Sequence, residues 1–313
     1  MRSKQAVIRA DDGKELAYFE WAPDGPERVG VFHIAHGMAE HAARYERLAE
    51  RLTAAGWLVY ANDHRGHGRT AQGPDELGHF ADRKGWERVT KDLALFIDRE
   101  TQAEPLLPFV LFGHSMGSFM AQQMAYERGD RLTGLVLSAS NGRPPPIAQA
   151  GRLVARVERL RLGGRGKSPL LRKLSFEDFN KAFAPTRTSA DWLSRDAAEV
   201  DKYVADPWCG FECSTTLWVD LLDALPSLTE PRNLEKIPKN LRILVMAGCE
   251  DPVSARTRDL DPLLIAYGKQ GLSTTRKYYP NARHEIFNET NRDEVTTDLV
   301  RWLGETILGK KKG

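Results

Sequence analysis

The chain has 313 residues, 41% of them hydrophobic and 28% charged, with a formal net charge of +2. That length accommodates one large domain, or one domain carrying a smaller insertion, and so balanced a net charge gives no argument for nucleic acid as a partner. Residues Met1 to Val7 run into Asp11-Asp12-Gly13-Lys14 with no apolar stretch between, so no secretory signal is expected. No run approaches the ~18 apolar residues of a membrane helix. Three cysteines give no disulfide framework, and Cys209 and Cys213 have C-x3-C spacing with no second pair to complete a zinc site. A reducing, cytoplasmic setting is expected.

Strand-like runs recur along the chain with helical patterns between most of them. Glu15 to Trp21 and Val29 to Ala35 come first, set close together as in an antiparallel opening. Tyr45, Leu48, Ala49 and Leu52 repeat at helical spacing, and Gly56 ends that helix. Trp57 to Asn62 reads as the next strand, and Val89, Leu93, Phe96 and Ile97 mark the next helix. Then come the runs Pro108 to Phe112, Thr133 to Ser138, Leu241 to Ala247 and Thr274 to Tyr279. Unbroken apolar runs such as Phe109-Val110-Leu111-Phe112 belong to strands buried on both faces, as in a parallel sheet. Alternating β and α with short links predicts a doubly wound α/β fold.

The alternation breaks between Asn141 and Lys239, a stretch opened by Pro144 to Pro146 and interrupted by Gly163, Gly164 and Gly166. It reads as a mainly helical cap (141–239) inserted into a core formed by 1–140 and 240–313. From Arg152 to Lys173 the cap carries Arg152, Arg156, Arg159, Arg161, Arg165, Lys167, Arg172 and Lys173 against one acid, Glu158. Ile147, Ala150, Leu153, Val154, Val157 and Leu160 fall at helical spacing beside them. Two outcomes are open: a basic amphipathic helix in peripheral contact with an anionic membrane, or a stripe that packs the cap while the arginines are solvated. The Lys310-Lys311-Lys312 tail is expected to be a frayed end.

Gly113-His114-Ser115-Met116-Gly117 follows the buried run 109–112 and precedes a helix-compatible segment, Ser118 to Arg128. A sharp strand-to-helix turn would hold Ser115 in a strained conformation and lift its hydroxyl above the sheet. Side chains two positions to either side would clash, which explains glycine at both. A serine hydroxyl needs a base to become nucleophilic, and on a sheet with such an elbow the histidine comes last in chain order. Of eight histidines only His284 lies beyond Ser115, on a loop after the last strand. The acid that orients it should follow a strand between the two. Asp251 does so directly after Leu241 to Ala247, with Glu250 its nearest rival and Asp261 a weaker one. An oxyanion hole needs two backbone donors: Met116, next to the nucleophile, and Met38, in the loop His36-Gly37-Met38 after an early strand. The histidines of His33-x-x-His36 and His64-x-x-His67 invite a metal reading, but His33 lies within a strand and no His/carboxylate spacing fits. Bracing of the oxyanion loop by Asp63 to Gly68 is the expected role, with no metal.

His36-Gly37-Met38-Ala39-Glu40-His41, Asp63-His64-Arg65-Gly66-His67-Gly68 and the 113–117 elbow together resemble the monoacylglycerol lipase and bacterial lysophospholipase branch of α/β hydrolases. Ala282-Arg283-His284-Glu285 and the Gly248 to Asp251 turn match the ends of that pattern. The resemblance runs from Val7 to Leu303, more loosely in the cap, where 176–196 and 206–216 look like stretches of bacterial members. It implies a mostly parallel eight-stranded sheet with an inserted helical cap. It also implies a cofactor-free serine esterase that forms an acyl-enzyme and acts on monoacyl lipids. The matched motif puts the oxyanion amides at Met38 and Met116, and Glu40 and Arg44 near the alcohol side of the ester. A short-chain soluble esterase, a serine aminopeptidase of the same fold and a non-enzymatic ligand receptor are the competing readings. A dehalogenase or epoxide hydrolase is excluded by serine at 115.

Overall fold

The computed structural model describes residues 1–142 and 147–310. The Pro144–Pro146 run, the side chain of Ile147 and the last lysines, all singled out above, lie outside the described residues. Eight strands form one sheet in the order β1-β2-β4-β3-β5-β6-β7-β8. They are β1 (Arg2–Arg9), β2 (Glu15–Ala22), β3 (Gly30–Ala35), β4 (Trp57–Asn62), β5 (Phe109–His114), β6 (Gly134–Ser138), β7 (Arg242–Gly248) and β8 (Thr274–Tyr279). From β4 through β8 every pairing is parallel, as the alternation of elements requires. The fold is that of an α/β hydrolase.

Two details differ from the sequence reading. β1 was not among the predicted strands, because RSKQAVIR is mostly charged or polar and forms an exposed edge on which only Ala6 and Ile8 are partly buried. The antiparallel opening is made by β2 with β1 and β4, not with β3, which lies on the far side of β4.

Helices cover both faces of the sheet. On one, α2 (Gly85–Ala103) and α3 (Met116–Glu127) pack Leu93, Phe96, Met120 and Met124 against it. On the other, α1 (Glu46–Ala54) and the helix Arg292–Trp302 bring Leu48, Leu52, Val295 and Leu299. β3, β4 and β5 are buried along their whole length, which is why they read as continuous apolar runs.

The segment between β6 and β7 is mainly helical, with α4 (Ile147–Leu162) lying along the helix Thr215–Ala224. Val154 and Ala155 cluster with Val219 of that helix and with Leu171 from the short helix Pro169–Arg172. Arg152 and Arg156 both hold Asp223 on the neighbouring helix, and buried Glu158 accepts hydrogen bonds from Ser168 and Arg161. These anchors set the rotation of α4. They turn Leu153, Val157 and Leu160 to solvent, 64%, 52% and 86% exposed, whereas Val154 of the same apolar set packs inward. Most of the arginines are ion-paired rather than free: besides those two, Arg161 holds Glu158, Arg165 holds Asp82 and Arg172 holds Glu177 and Glu212. Among the described residues no helix is long and apolar enough to cross a membrane.

Candidate active site

β5 ends at His114 and α3 begins at Met116, so the chain reverses direction at Ser115 alone. Ser115 adopts φ 50° and ψ −118°, a conformation that costs an L-residue of order 1–3 kcal/mol. The reversal needs bare backbone on both sides. A Cβ on Gly113 would stand 2.4 Å from the Gly117 carbonyl oxygen, and one on Gly117 would stand 2.1 Å from that of Ala35. The elbow is pinned by the Ser115 N–H, which donates to the Ser138 carbonyl at 3.0 Å.

At the ends of β7 and β8 the structure brings the expected acid and base together. His284 Nδ1 donates to Asp251 Oδ1 at 2.9 Å, and the same oxygen accepts the Val253 N–H. Asp251 is fully buried, whereas Glu250 turns outward to an ion pair with Arg256. Burial alone would lower the His284 pKa; the adjacent Asp251 carboxylate outweighs it, by charge and hydrogen bond, and holds the pKa above the ordinary histidine value. The ring is flanked by Trp192 at 4.8 Å and His114 at 4.9 Å between centroids. His284 and Ser115 line one small cleft. No hydrogen bond joins them among the described residues, a looseness familiar in ligand-free catalytic sites.

The Gly37–His41 loop closes the other side. A Cβ on Gly37 would lie 3.4 Å from that of Ser115, so this backbone abuts the elbow. Met38, Met116 and Ser115 line a common cavity. Met116 opens α3, so its N–H is one of the four without an intrahelical acceptor. Among the described residues the Met38 N–H also has no partner. Asp63 braces the loop by accepting the Ala42 N–H at 2.8 Å.

Glu40 and Arg44, expected beside the alcohol half of an ester, have their polar atoms engaged with each other and with their neighbours. Glu40 accepts from the Gly37 N–H, the Tyr45 hydroxyl and Arg44. Arg44 also forms a bidentate pair with Glu285, both contacts at 2.7 Å. Burial would raise the Glu285 pKa; Arg44 overrides it and holds the carboxyl at about 2. The sequence reading missed Glu285, Tyr203 and Trp192 as parts of this site. The one available signal was an acid next to the histidine in Arg283-His284-Glu285.

Among the described residues His41, Asp206 and Cys209 bring metal-capable atoms within 4.8 Å of one another. His41 Nε2 already hydrogen-bonds Asp206 at 2.9 Å, and burial pushes the Cys209 thiol up. A cavity of about 260 Å³ opens from Ser115, walled by Phe119, Phe176, Trp192, Trp218, Leu221 and Leu225. Its lining is almost wholly apolar, the character of a site for hydrocarbon.

A family profile described as serine aminopeptidase, S33, matches residues 26–291. The monoacylglycerol lipase of Mycolicibacterium smegmatis is 28% identical over 299 residues, 93% of each chain. The monoglyceride lipase of Homo sapiens is 31% identical over 228 residues, 70% of this chain and 68% of that one. Among solved structures, a thermostable carboxyl esterase from Bacillus coagulans, in complex with glycerol, superposes with a TM-score of 0.89. It is 26% identical, with 98% of this chain and 99% of that one covered. The chain therefore belongs to the serine aminopeptidase S33 family of α/β hydrolases, in its monoacylglycerol lipase-like branch, and is an ester-cleaving hydrolase.

Proposed function

We propose that this protein hydrolyses monoacyl lipid esters through an acyl-enzyme on Ser115, with segment 141–239 as the cap over its acyl site. The observation that carries the reading is the His284–Asp251 pair facing a strained Ser115 at the mouth of an apolar cavity. His284 Nε2 takes the Ser115 proton as Oγ attacks the carbonyl carbon. The carbonyl oxygen becomes an oxyanion under the Met38 and Met116 amides, and the imidazolium gives its proton to the departing alcohol oxygen. Water then attacks the acyl-enzyme by the same route, releasing the fatty acid and restoring Ser115. An aminopeptidase would need a free carboxylate near Ser115 to hold the substrate's ammonium group. Glu40 and Glu285 are both committed to Arg44, which favours the ester reading.

Ser115→Ala is expected to lower kcat by on the order of 10⁴ to 10⁶. Asp251→Asn should cost about 10³ to 10⁴ by supporting the wrong imidazole tautomer, and Glu250→Gln less than tenfold (~1.4 kcal/mol). The base works only when neutral and its pKa is raised, so activity should fall as the medium is acidified through a midpoint above the ordinary ~6.5. In Asp251→Asn the main raising influence is gone and the midpoint should drop. Equal losses at Glu250 and Asp251, or an unmoved midpoint, would reassign the acid.

The cavity sets an expected chain length. A 150 Å³ protein cavity holds the six carbons of benzene, which scales to about ten acyl carbons for this one. Across p-nitrophenyl esters, kcat/KM should rise up to about fourfold per CH₂ (~0.8 kcal/mol) from acetyl toward decanoyl, then level off. A steady fall from acetyl onward would favour the short-chain esterase.

Lipid delivery follows from α4. Leu153, Val157 and Leu160 form an exposed stripe, with Leu170 and Leu174 also exposed nearby in the chain, suited to the apolar boundary of a bilayer. Because the neighbouring arginines are largely ion-paired, apolar burial should dominate this contact and added salt should weaken it little. Replacing Leu153, Val157 and Leu160 with serine should reduce vesicle binding while p-nitrophenyl acetate turnover stays intact. Absence of binding to neutral and anionic vesicles alike would remove the membrane contact.

A further inference from the structure

Three of the four histidines set aside as a metal motif, His33, His36 and His64, take part in a buried hydrogen-bond chain that ends on the oxyanion loop. The His64 N–H donates to His36 Nε2 at 3.0 Å. That nitrogen is thereby an acceptor, so the His36 proton must sit on Nδ1, from which it donates to the Gly37 carbonyl at 2.7 Å. The Gly37 carbonyl and the Met38 N–H belong to one peptide unit. In a trans peptide they point in opposite directions, so holding the oxygen aims the N–H.

The chain continues backward with one consistent direction. Asn62 Nδ2 donates to His64 Nδ1 at 3.2 Å, which puts the His64 proton on Nε2, and that atom donates to the His36 carbonyl at 3.2 Å. Asn62 Oδ1 accepts from His33 Nε2 at 3.0 Å, and His33 Nδ1 meets the Glu100 carboxyl at 2.9 Å. All five residues are at most 1% exposed. Burial also holds the pKa values of His36 and His64 well below the ordinary histidine value, so both rings stay neutral and keep one tautomer. The preceding peptide unit is clamped as well, its oxygen by His64 and its Gly37 N–H by Glu40 at 2.6 Å.

We propose that His36 is a positioning residue for the oxyanion hole, locked in its Nδ1–H tautomer by His64 and Asn62 so that the Met38 amide is aimed at the developing oxyanion. This rests on the reading of Ser115 as nucleophile and Met38 as oxyanion donor. It extends that reading to a residue that touches no substrate. A hydrogen bond to the Gly37 oxygen also polarises the peptide and makes the Met38 N–H a stronger donor.

Two measurements test it. Nitrogen-15 NMR of histidine-labelled wild-type protein should show His36 protonated at Nδ1 and His64 at Nε2; the opposite tautomer at His36 would overturn the proposal without any variant. Kinetically, His36→Leu should lower kcat on the order of 10- to 100-fold, because a misaimed donor is felt in the transition state. KM and the affinity for a fatty-acid product should hold. His36→Asn keeps a donor near the Nδ1 position and should retain kcat within about threefold (~0.65 kcal/mol). A folded His36→Leu enzyme with wild-type kcat, or His36→Asn as impaired as His36→Leu, would refute the role. Ser115→Ala separates the two readings: if it stays active the mechanism itself fails, whereas an inactive Ser115→Ala beside an unimpaired His36→Leu removes only the tautomer lock.

Discussion

Gly117 lets the first turn of α3 rest directly on the end of β3. A Cβ there would stand 2.1 Å from the Ala35 oxygen and 2.5 Å from the His36 oxygen, both backbone atoms with no freedom to move aside. The same contact carries Ser115 against Gly37. The spacing between the proposed nucleophile and its proposed oxyanion donor is therefore set by backbone resting on backbone, not by side chains that could adjust. Close packing of this kind transmits small displacements rather than absorbing them, so the remaining parts of the site are arranged around a fixed distance.

Arg44 joins two of those parts. Its guanidinium bridges Glu40, which holds the Gly37 N–H, and Glu285, the residue after His284. Taking such a triad out of water is costly, and its desolvation is offset only by excellent geometry. Removing the arginine would leave two buried carboxylates uncompensated, at a cost of about 3–5 kcal/mol. The segment between β6 and β7 adds a second set of ties. The Tyr203 hydroxyl and the Gly210 N–H both donate to the Ala39 carbonyl, and the Leu193 carbonyl accepts the Glu285 N–H. Trp192 both walls the cavity and lies tilted against the His284 ring. Filling the cavity and positioning the base thus share a side chain.

Much of this was legible in the sequence where the chemistry is local. Gly113, Ser115 and Gly117 state the elbow in five residues, and Asp251 follows a strand that its apolar run betrays, whereas the strand before His284 shows only in the β-prone threonines and tyrosines of TTRKYY. β1 was not legible, because an exposed edge strand has no face to bury and so no alternation. The neighbour of β2 was misjudged because adjacency in the chain says little about which strand a crossover inserts between. Which way the stripe on α4 faces was left open by its spacing and is set by Asp223, a partner 67 residues from Arg156 that leaves no trace in that spacing. For the same reason nothing in the string shows that Arg44 bridges Glu40 to Glu285, which lies 241 residues further on.

The central claim is that Ser115 is the activated nucleophile of this fold. Treatment of the purified protein with a fluorophosphonate, followed by peptide mass spectrometry, addresses it directly, since the probe bonds to a serine whose hydroxyl is being deprotonated and whose oxyanion is held. One adduct per chain, on the peptide containing Ser115 and lost in His284→Ala, is the predicted result. An unlabelled protein, or an adduct on another serine, would contradict the account.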